Sequence, residues 1–299
     1  MRKKIIWGIF ILAAIVGAVY LNKNFAVINS SVYYGKRIVN TNATKIKYGY
    51  YSLGDEKDDF VYCTPSLKKF KKLESLNIFV NEDTNFKYLS QMSDLQELNL
   101  YYQFSYCGML ENLPELSNLK KLIISGGGDG NNFTLSDEYE YNFSSIENLR
   151  IEYCTSIDCD ALKYFKNLKK LYLQAAYLLA DMECFSELQY LENAEFQVHL
   201  KESDLFDLSG LKNNKNLKSL TVGNYYKEKY ILKNTDCFSD LASVEELKIE
   251  NISFENIDGL LKMKSLKNLN IDDDCLTEEQ IEELQSRGIN VELVQRRSD

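Results

Sequence analysis

Seven cysteines and one histidine are the side chains of this chain best equipped for chemistry, and their spacing decides what they can do. The thiols are Cys63, Cys107, Cys154, Cys159, Cys184, Cys237 and Cys275. A structural zinc site takes four nitrogen or sulfur ligands, usually as two close pairs. Cys154 and Cys159 form one pair, no second pair has metal spacing, and the sole imidazole is His199. A Ser-His-Asp or Cys-His nucleophile would need that same histidine. The run Asp272-Asp273-Asp274 lacks the alternation and the glycine of a calcium loop. The glycine-rich stretch 126–132 precedes no helix that opens with Lys-Ser or Lys-Thr, so it does not cradle phosphate. The sequence therefore assigns no catalytic residue, no metal and no cofactor, and the expected class is a non-enzyme.

The elements that carry these residues follow from a repeat. A large apolar residue, two others, Leu, one other and a second apolar residue recur in ten copies, as in Leu95-Gln-Glu-Leu98-Asn-Leu100 and Leu168-Lys-Lys-Leu171-Tyr-Leu173, with Ala194 and Val291 at the Leu position in two of them and Gly288 opening the last. The central position falls at 76, 98, 122, 149, 171, 194, 220, 247, 269 and 291, never less than 22 residues apart. A unit this short buries its apolar side only against neighbouring copies, so the chain is expected to be a stack with a long ordered surface. The L-x-L phrase alternates with period two and predicts a strand. Phe86, Leu89, Met92 and Leu95 are spaced by three, which predicts 3₁₀ or helical turns on the opposite side.

This phrase resembles the leucine-rich repeat family, and its shortness resembles the bacterial internalin-type branch. The resemblance covers roughly residues 60–295. It implies an α/β solenoid of about ten repeats, with a parallel concave sheet and short helices or 3₁₀ turns on the convex side. It also implies a non-catalytic binding or adhesion protein. The family's Asn/Cys position, five residues past the central Leu, holds Gln103, Gly127, Cys154, Ala176, His199, Tyr225, Ile252 and Asp274 in successive copies. Only Cys154 of these matches, so a less regular solenoid is expected. Thr277 with Gln280 forms a capping box for a C-terminal helix, and Gly288 fits its left-handed end.

Arg2-Lys3-Lys4 precedes an uncharged run from Ile5 to Leu21. Residues 1–21 are read as a signal anchor or a signal peptide, with everything after them outside the cytoplasm. At 1.5 Å per residue the run spans roughly 26 Å, slightly less than a ~30 Å hydrocarbon core. Residues 22–60 are expected to be a linker and a possible N-terminal cap. Residues 61–295 are the solenoid with its C-terminal cap, and 296–299 a tail. A bacterial source and a membrane-anchored or secreted location are expected. An odd cysteine count in an exported chain leaves at least one free thiol. Cys184 and Cys237 lie in matching phrases two repeats apart, too far to bridge. Cys159 and Cys184, in neighbouring repeats, are the one pair worth testing.

The net charge of −9 argues against nucleic acid as a partner. The membrane is met only through the N-terminal segment. The remaining partner class is a protein ligand, or less readily a glycan, on the concave face. Outward positions there predict Phe79, Tyr101, Tyr102, Arg150, Tyr153 and Tyr172 as the ligand-binding set. Tyr and Arg on a rigid face are the residue types that dominate interface hot spots. Tyr225, Tyr226 and Tyr230, in a lengthened repeat, are secondary loop candidates. A structural or assembly role in the cell envelope is the alternative.

Overall fold

The computed structural model describes residues 14–295 apart from 30–35, 47, 53–54, 60, 82, 104–109, 111, 128–131, 134, 136–139, 158, 178–182, 199–207, 225–228 and 234. The chain divides into two compact units, one holding residues 1–101 and 112–119 and the other 102–111 and 120–299.

In the first unit a helix over residues 14–24 runs directly into β1 (Phe25–Asn29), which pairs antiparallel with β2 (Lys36–Asn40). The short β3 (Lys45–Ile46) pairs parallel with β7 (Ser75–Val80). Between them β4 (Tyr48–Ser52) and β5 (Asp55–Asp59) form an antiparallel hairpin, and β6 (Val61–Tyr62) joins β7 in parallel. The stretch 22–60 thus carries two antiparallel strand pairs. β8 (Glu97–Gln103) follows, entered through hydrogen bonds from the Gln96 and Glu97 N–H groups to Glu74 O. Phe86, Leu89, Met92 and Leu95 are all buried, and Phe86–Leu89 is a 3₁₀ turn as their spacing predicts. No helix among the described residues is long and apolar enough to cross a membrane.

The second unit stacks eight parallel strands in chain order. They are β9 (Lys121–Gly127), β11 (Asn148–Ile157), β12 (Lys170–Tyr177), β13 (Asn193–Val198), β14 (Ser219–Asn224), β16 (Glu246–Glu250), β18 (Asn268–Asp272) and β19 (Asn290–Val294). β10 (Asn132–Phe133) lies within the glycine-rich insert and pairs with β11. β15 (Tyr230–Leu232) and β17 (Ile252–Phe254) make a small parallel pair of their own. The register matches the repeat, since Leu149 lies against Leu171, Ala194 against Leu220 and Leu247 against Leu269. Inward residues such as Leu122, Leu149, Leu220 and Leu269 are fully buried. Two strands of the repeat in the first unit and eight in the second make this a leucine-rich-repeat fold. A C-terminal helix, Glu278–Ser286, closes the stack with the capping box that the sequence predicts. Ile289 N–H reaches Leu284 O and Gly288 N–H reaches Gln285 O, the Schellman pattern, with Gly288 at φ 84°.

Two side-chain ladders hold successive turns together. Four residues before the central position, Asn118, Asn167 and Asn216 donate from Nδ2 to Ser93 O, Ser144 O and Gln189 O of the preceding repeat. Ser243 and Ser265 do the same to Asn214 O and Ala242 O. This Asn/Ser row stands before the strand and bonds carbonyls of the pre-strand segments, a different set from those that the family's Asn after the strand would reach. Asn81, five residues past Leu76, is a further match to the family position, and its Oδ1 accepts from Thr84 Oγ1.

Two residues before the central position, the second unit reads Lys120, Glu147, Lys169, Glu192, Lys218, Glu245 and Lys267, strictly alternating in sign. Glu147 takes Lys120 and Lys169 at 2.8 Å on either side, and Glu245 takes Lys218 and Lys267. Hydrogen bonds from both lysines, ahead of any burial effect, hold the Glu147 carboxyl down at about 2. Glu245 is lowered for the same reason. Exposed pairs contribute little each, so the row specifies neighbours more than it adds stability.

Candidate functional site

The open face of the sheet, opposite the 3₁₀ turns, is where alternation sends every second strand residue. On the first unit it carries a row of rings. Tyr62 meets Phe79 edge-on at 5.2 Å between centroids, and Phe79 meets Tyr101 at 5.8 Å. Such pairs add to the burial of their area and hold the rings in fixed orientation. Phe79 and Tyr101 are half-buried, so one edge of each stays available. Tyr62 escapes sequence phasing because β6 meets β7 as Tyr62 against Phe79, a 17-residue step rather than 22.

Tyr102 does not belong to this face. It is fully buried, with its ring in the core. β8 continues past the repeat phrase, and alternation carries Leu98, Leu100 and Tyr102 inward together. Asp272, the first of the three consecutive acids, is a buried acceptor, its Oδ2 receiving the Asn251 N–H at 2.7 Å. Tyr230 is buried too, since it sits in β15 and packs, so it is no protruding loop residue. Tyr225, Tyr226 and His199 lie outside the described residues, as do the side chains of Cys159 and Cys184.

On the second unit the cluster centres on Arg150. Arg150 and Tyr172 are register partners on β11 and β12, and the guanidinium lies 3.6 Å from the Tyr172 ring centroid. Its Nε donates to Glu152 Oε1 at 2.6 Å. The fork is thereby fixed in plane over the ring, which lowers the cost of ordering it on contact with a partner. Burial pushes the Tyr172 hydroxyl up to about 12, opposed by Arg150 and reinforced by Glu195 and Glu152. It therefore remains a proton donor at neutral pH.

Tyr153 reaches the face by a different route. The β11/β12 register breaks between Ile151 and Cys154, so Glu152 and Tyr153 together oppose Gln174. This bulge puts Tyr153 at φ 57°, in the left-handed region, and leaves it 53% exposed. Regular alternation would have buried it behind Leu149 and Ile151. Bulges re-aim side chains in this way, and a tyrosine in that conformation stores strain of order 1 kcal/mol. Arg150, Tyr153 and Tyr172 are thus brought together on one patch.

Farther along the same face a polar network crosses the strands. Gln197 Nε2 reaches Glu250 Oε2 at 2.5 Å from two strands away, and Lys248 pairs with Glu250 at 2.5 Å. Gln197 passes directly over Gly223, where a Cβ would stand 2.2 Å from its Oε1. The carboxylates at the far edge are also engaged, Asp274 by Lys229 at 2.5 Å. Cys63 and Cys275 are buried thiols, and desolvation pushes both up to about 12, which leaves them unreactive as nucleophiles.

No protein-family model matches the sequence, and no curated protein matches it. Among solved structures, the chain is similar to an internalin (inlF) of Listeria monocytogenes at TM-score 0.40 and 16% identity, over 73% of this chain and 65% of that one. It thus spans about two thirds of that protein's length. It is similar to internalin C2 (inlC2) of the same organism at TM-score 0.40 and 17% identity, covering 71% of this chain and 79% of that one. A third similarity, at TM-score 0.45 and 13% identity, is to a chain of the octameric complex of latrophilin 3, Unc5D and FLRT2, covering 77% of this chain and 78% of that one.

Proposed function

We propose that this chain is a non-catalytic, extracytoplasmic binding protein that docks a protein ligand on the open face of its sheet, with adhesion as one use. The observation that carries this reading is the Arg150–Tyr172–Tyr153 patch. A planar cation is fixed over one ring, and a second ring is held outward by a strained bulge. Strain retained at an exposed aromatic is better accounted for by recognition than by stability. Phe79 and Tyr101 offer a second patch on the first unit, and Tyr225 and Tyr226 are proposed as loop contacts. A glycan ligand is less well supported, because the polar groups beside the rings are already paired with one another. The apolar run 5–21 behind a basic N-terminus supports export and tethering.

The internal pairing of Lys248, Glu250 and Gln197 favours a second reading, an envelope spacer that leaves this face unoccupied. Affinity capture from envelope and host-surface extracts separates the two. The bait is the full chain beside Tyr153→Ser and Arg150→Ser/Tyr172→Ser variants. A partner retained by the parent and lost by both variants supports docking at the patch. A partner retained equally by all three removes the patch, and no partner in either extract supports the spacer.

A further inference from the structure

The N-terminal helix does not hang from a free linker. Its last turn is fastened to the first unit by four hydrogen bonds. Thr41 donates from N to Asn24 O at 2.8 Å and from Oγ1 to Lys23 O at 3.2 Å. Lys69 Nζ donates to Asn22 O at 2.9 Å and Asn22 Oδ1 at 2.7 Å. β1 then begins at the next residue, Phe25.

The β1–β2 hairpin has two unlike faces. Ala26 and Ile28 are buried, whereas the directly paired Val27 and Ile38 are 45% and 74% exposed. Ile15, Val16, Val19, Tyr20 and Leu21 on the helix are also more than half exposed, and they lie all round it. A helix apolar on every side from Ala14 to Leu21, followed by the exposed Val27–Ile38 pair, is suited to lipid rather than water over that stretch. Charge is distributed in the same sense. Residues 22–80 hold 10 of the 35 Lys and Arg but only 5 of the 44 Asp and Glu, a net +5 against −17 for residues 81–299. Lys23, Lys45, Lys68, Lys71 and Lys72 are exposed in this unit.

We infer that Val27 and Ile38 form a foot that rests in the interface of an anionic lipid bilayer, so that the first unit sits directly on the membrane. This rests on the reading of residues 1–21 as a retained anchor. The uncharged run spans roughly 26 Å against a hydrocarbon core of ~30 Å. A span short by a few ångströms draws the next residues down to the headgroups. Those residues are Tyr20, suited to the interface, Lys23, able to snorkel, and the Val27–Ile38 pair. The lysines around Lys69 add attraction to anionic headgroups.

The test uses the full chain inserted cotranslationally into vesicles of phosphatidylcholine and phosphatidylglycerol whose acyl chains are brominated near the glycerol end. Trp7 is the only tryptophan and lies within the apolar run, so its quenching in the parent reports the anchor itself. Ile38→Trp and, as a control on the second unit, Tyr190→Trp are placed in a Trp7→Phe background; both positions are exposed and tolerate the ring. The expected result is quenching of Ile38→Trp to within about twofold of Trp7, as for side chains a few ångströms into the interface, with Tyr190→Trp unquenched. Quenching of Trp7 with Ile38→Trp no more affected than Tyr190→Trp would overturn the foot and leave the anchor standing. An unquenched Trp7 in the parent would remove the anchor reading and the foot with it. Undiminished quenching of Ile38→Trp in pure brominated phosphatidylcholine would overturn the role given to anionic lipid.

Discussion

Replacing Gly223 with alanine should change sign with its neighbour. The added Cβ would stand 2.2 Å from Gln197 Oε1 and 2.8 Å from Nε2, over an ångström inside ordinary contact, so Gln197 must swing away. It then loses its bond to Glu250 Oε2. A hydrogen bond to a carboxylate contributes roughly 1.5–3 kcal/mol when buried, and half-exposure on this face places it near the lower end. Against that, Gly→Ala at a position without positive φ stabilises by about 0.5 kcal/mol through the unfolded chain. Gly223→Ala alone should therefore destabilise by about 1 kcal/mol. In a Gln197→Ala background the clash is gone and the same substitution should stabilise by about 0.5 kcal/mol. Urea unfolding of the parent, both single variants and the double variant gives the coupling directly, expected near 1.5 kcal/mol. Equal effects of Gly223→Ala in the two backgrounds would refute the close approach of Gln197.

Other expectations follow from the same contacts. The folded-state carboxyls of Glu147 and Glu245 lie below their ordinary value, so their contribution is complete above pH 4.5 and is lost as pH falls through the lowered values, toward about 2 for Glu147. A Glu147→Gln/Glu245→Gln variant should show a flatter loss of unfolding midpoint across that window than the parent; parallel curves would contradict the ladder. Tyr153→Gly removes the left-handed strain and should raise stability by up to ~1 kcal/mol while weakening partner capture. A fall in thermal midpoint would mean that the ring packs rather than projects. Thr277→Ala removes the capping box and should cost about 1 kcal/mol in urea unfolding. Cys63 and Cys275 should resist iodoacetamide at pH 8 in the folded chain and react once it is unfolded, as read by mass spectrometry.

The strands were legible because each buries its central residue against the next copy, so Leu149, Leu171 and Leu247 announce their register by spacing alone. The adjacency of Arg150 and Tyr172 follows from that register. Tyr102 was misplaced by treating the strand as finished at Tyr101, when alternation already points it inward. Tyr153 is the converse: alternation points it inward, and only a bulge, invisible in the residue pattern, turns it out. The Asn and Lys/Glu rows were present in the sequence but stand before the strand, whereas the family pattern directs attention after it. The hairpins of 22–60 share no phase with the repeats and so left no periodic trace.

The alternating Lys/Glu row also constrains how such a chain can lengthen or shorten. Excising one repeat would set Lys beside Lys or Glu beside Glu and reverse the polarity of every turn beyond the cut. Excising or inserting two restores opposite neighbours throughout. The smallest interchangeable module is thus a pair of repeats, and the matching phrases at Cys184 and Cys237, two repeats apart, have the spacing that duplication of such a pair would leave.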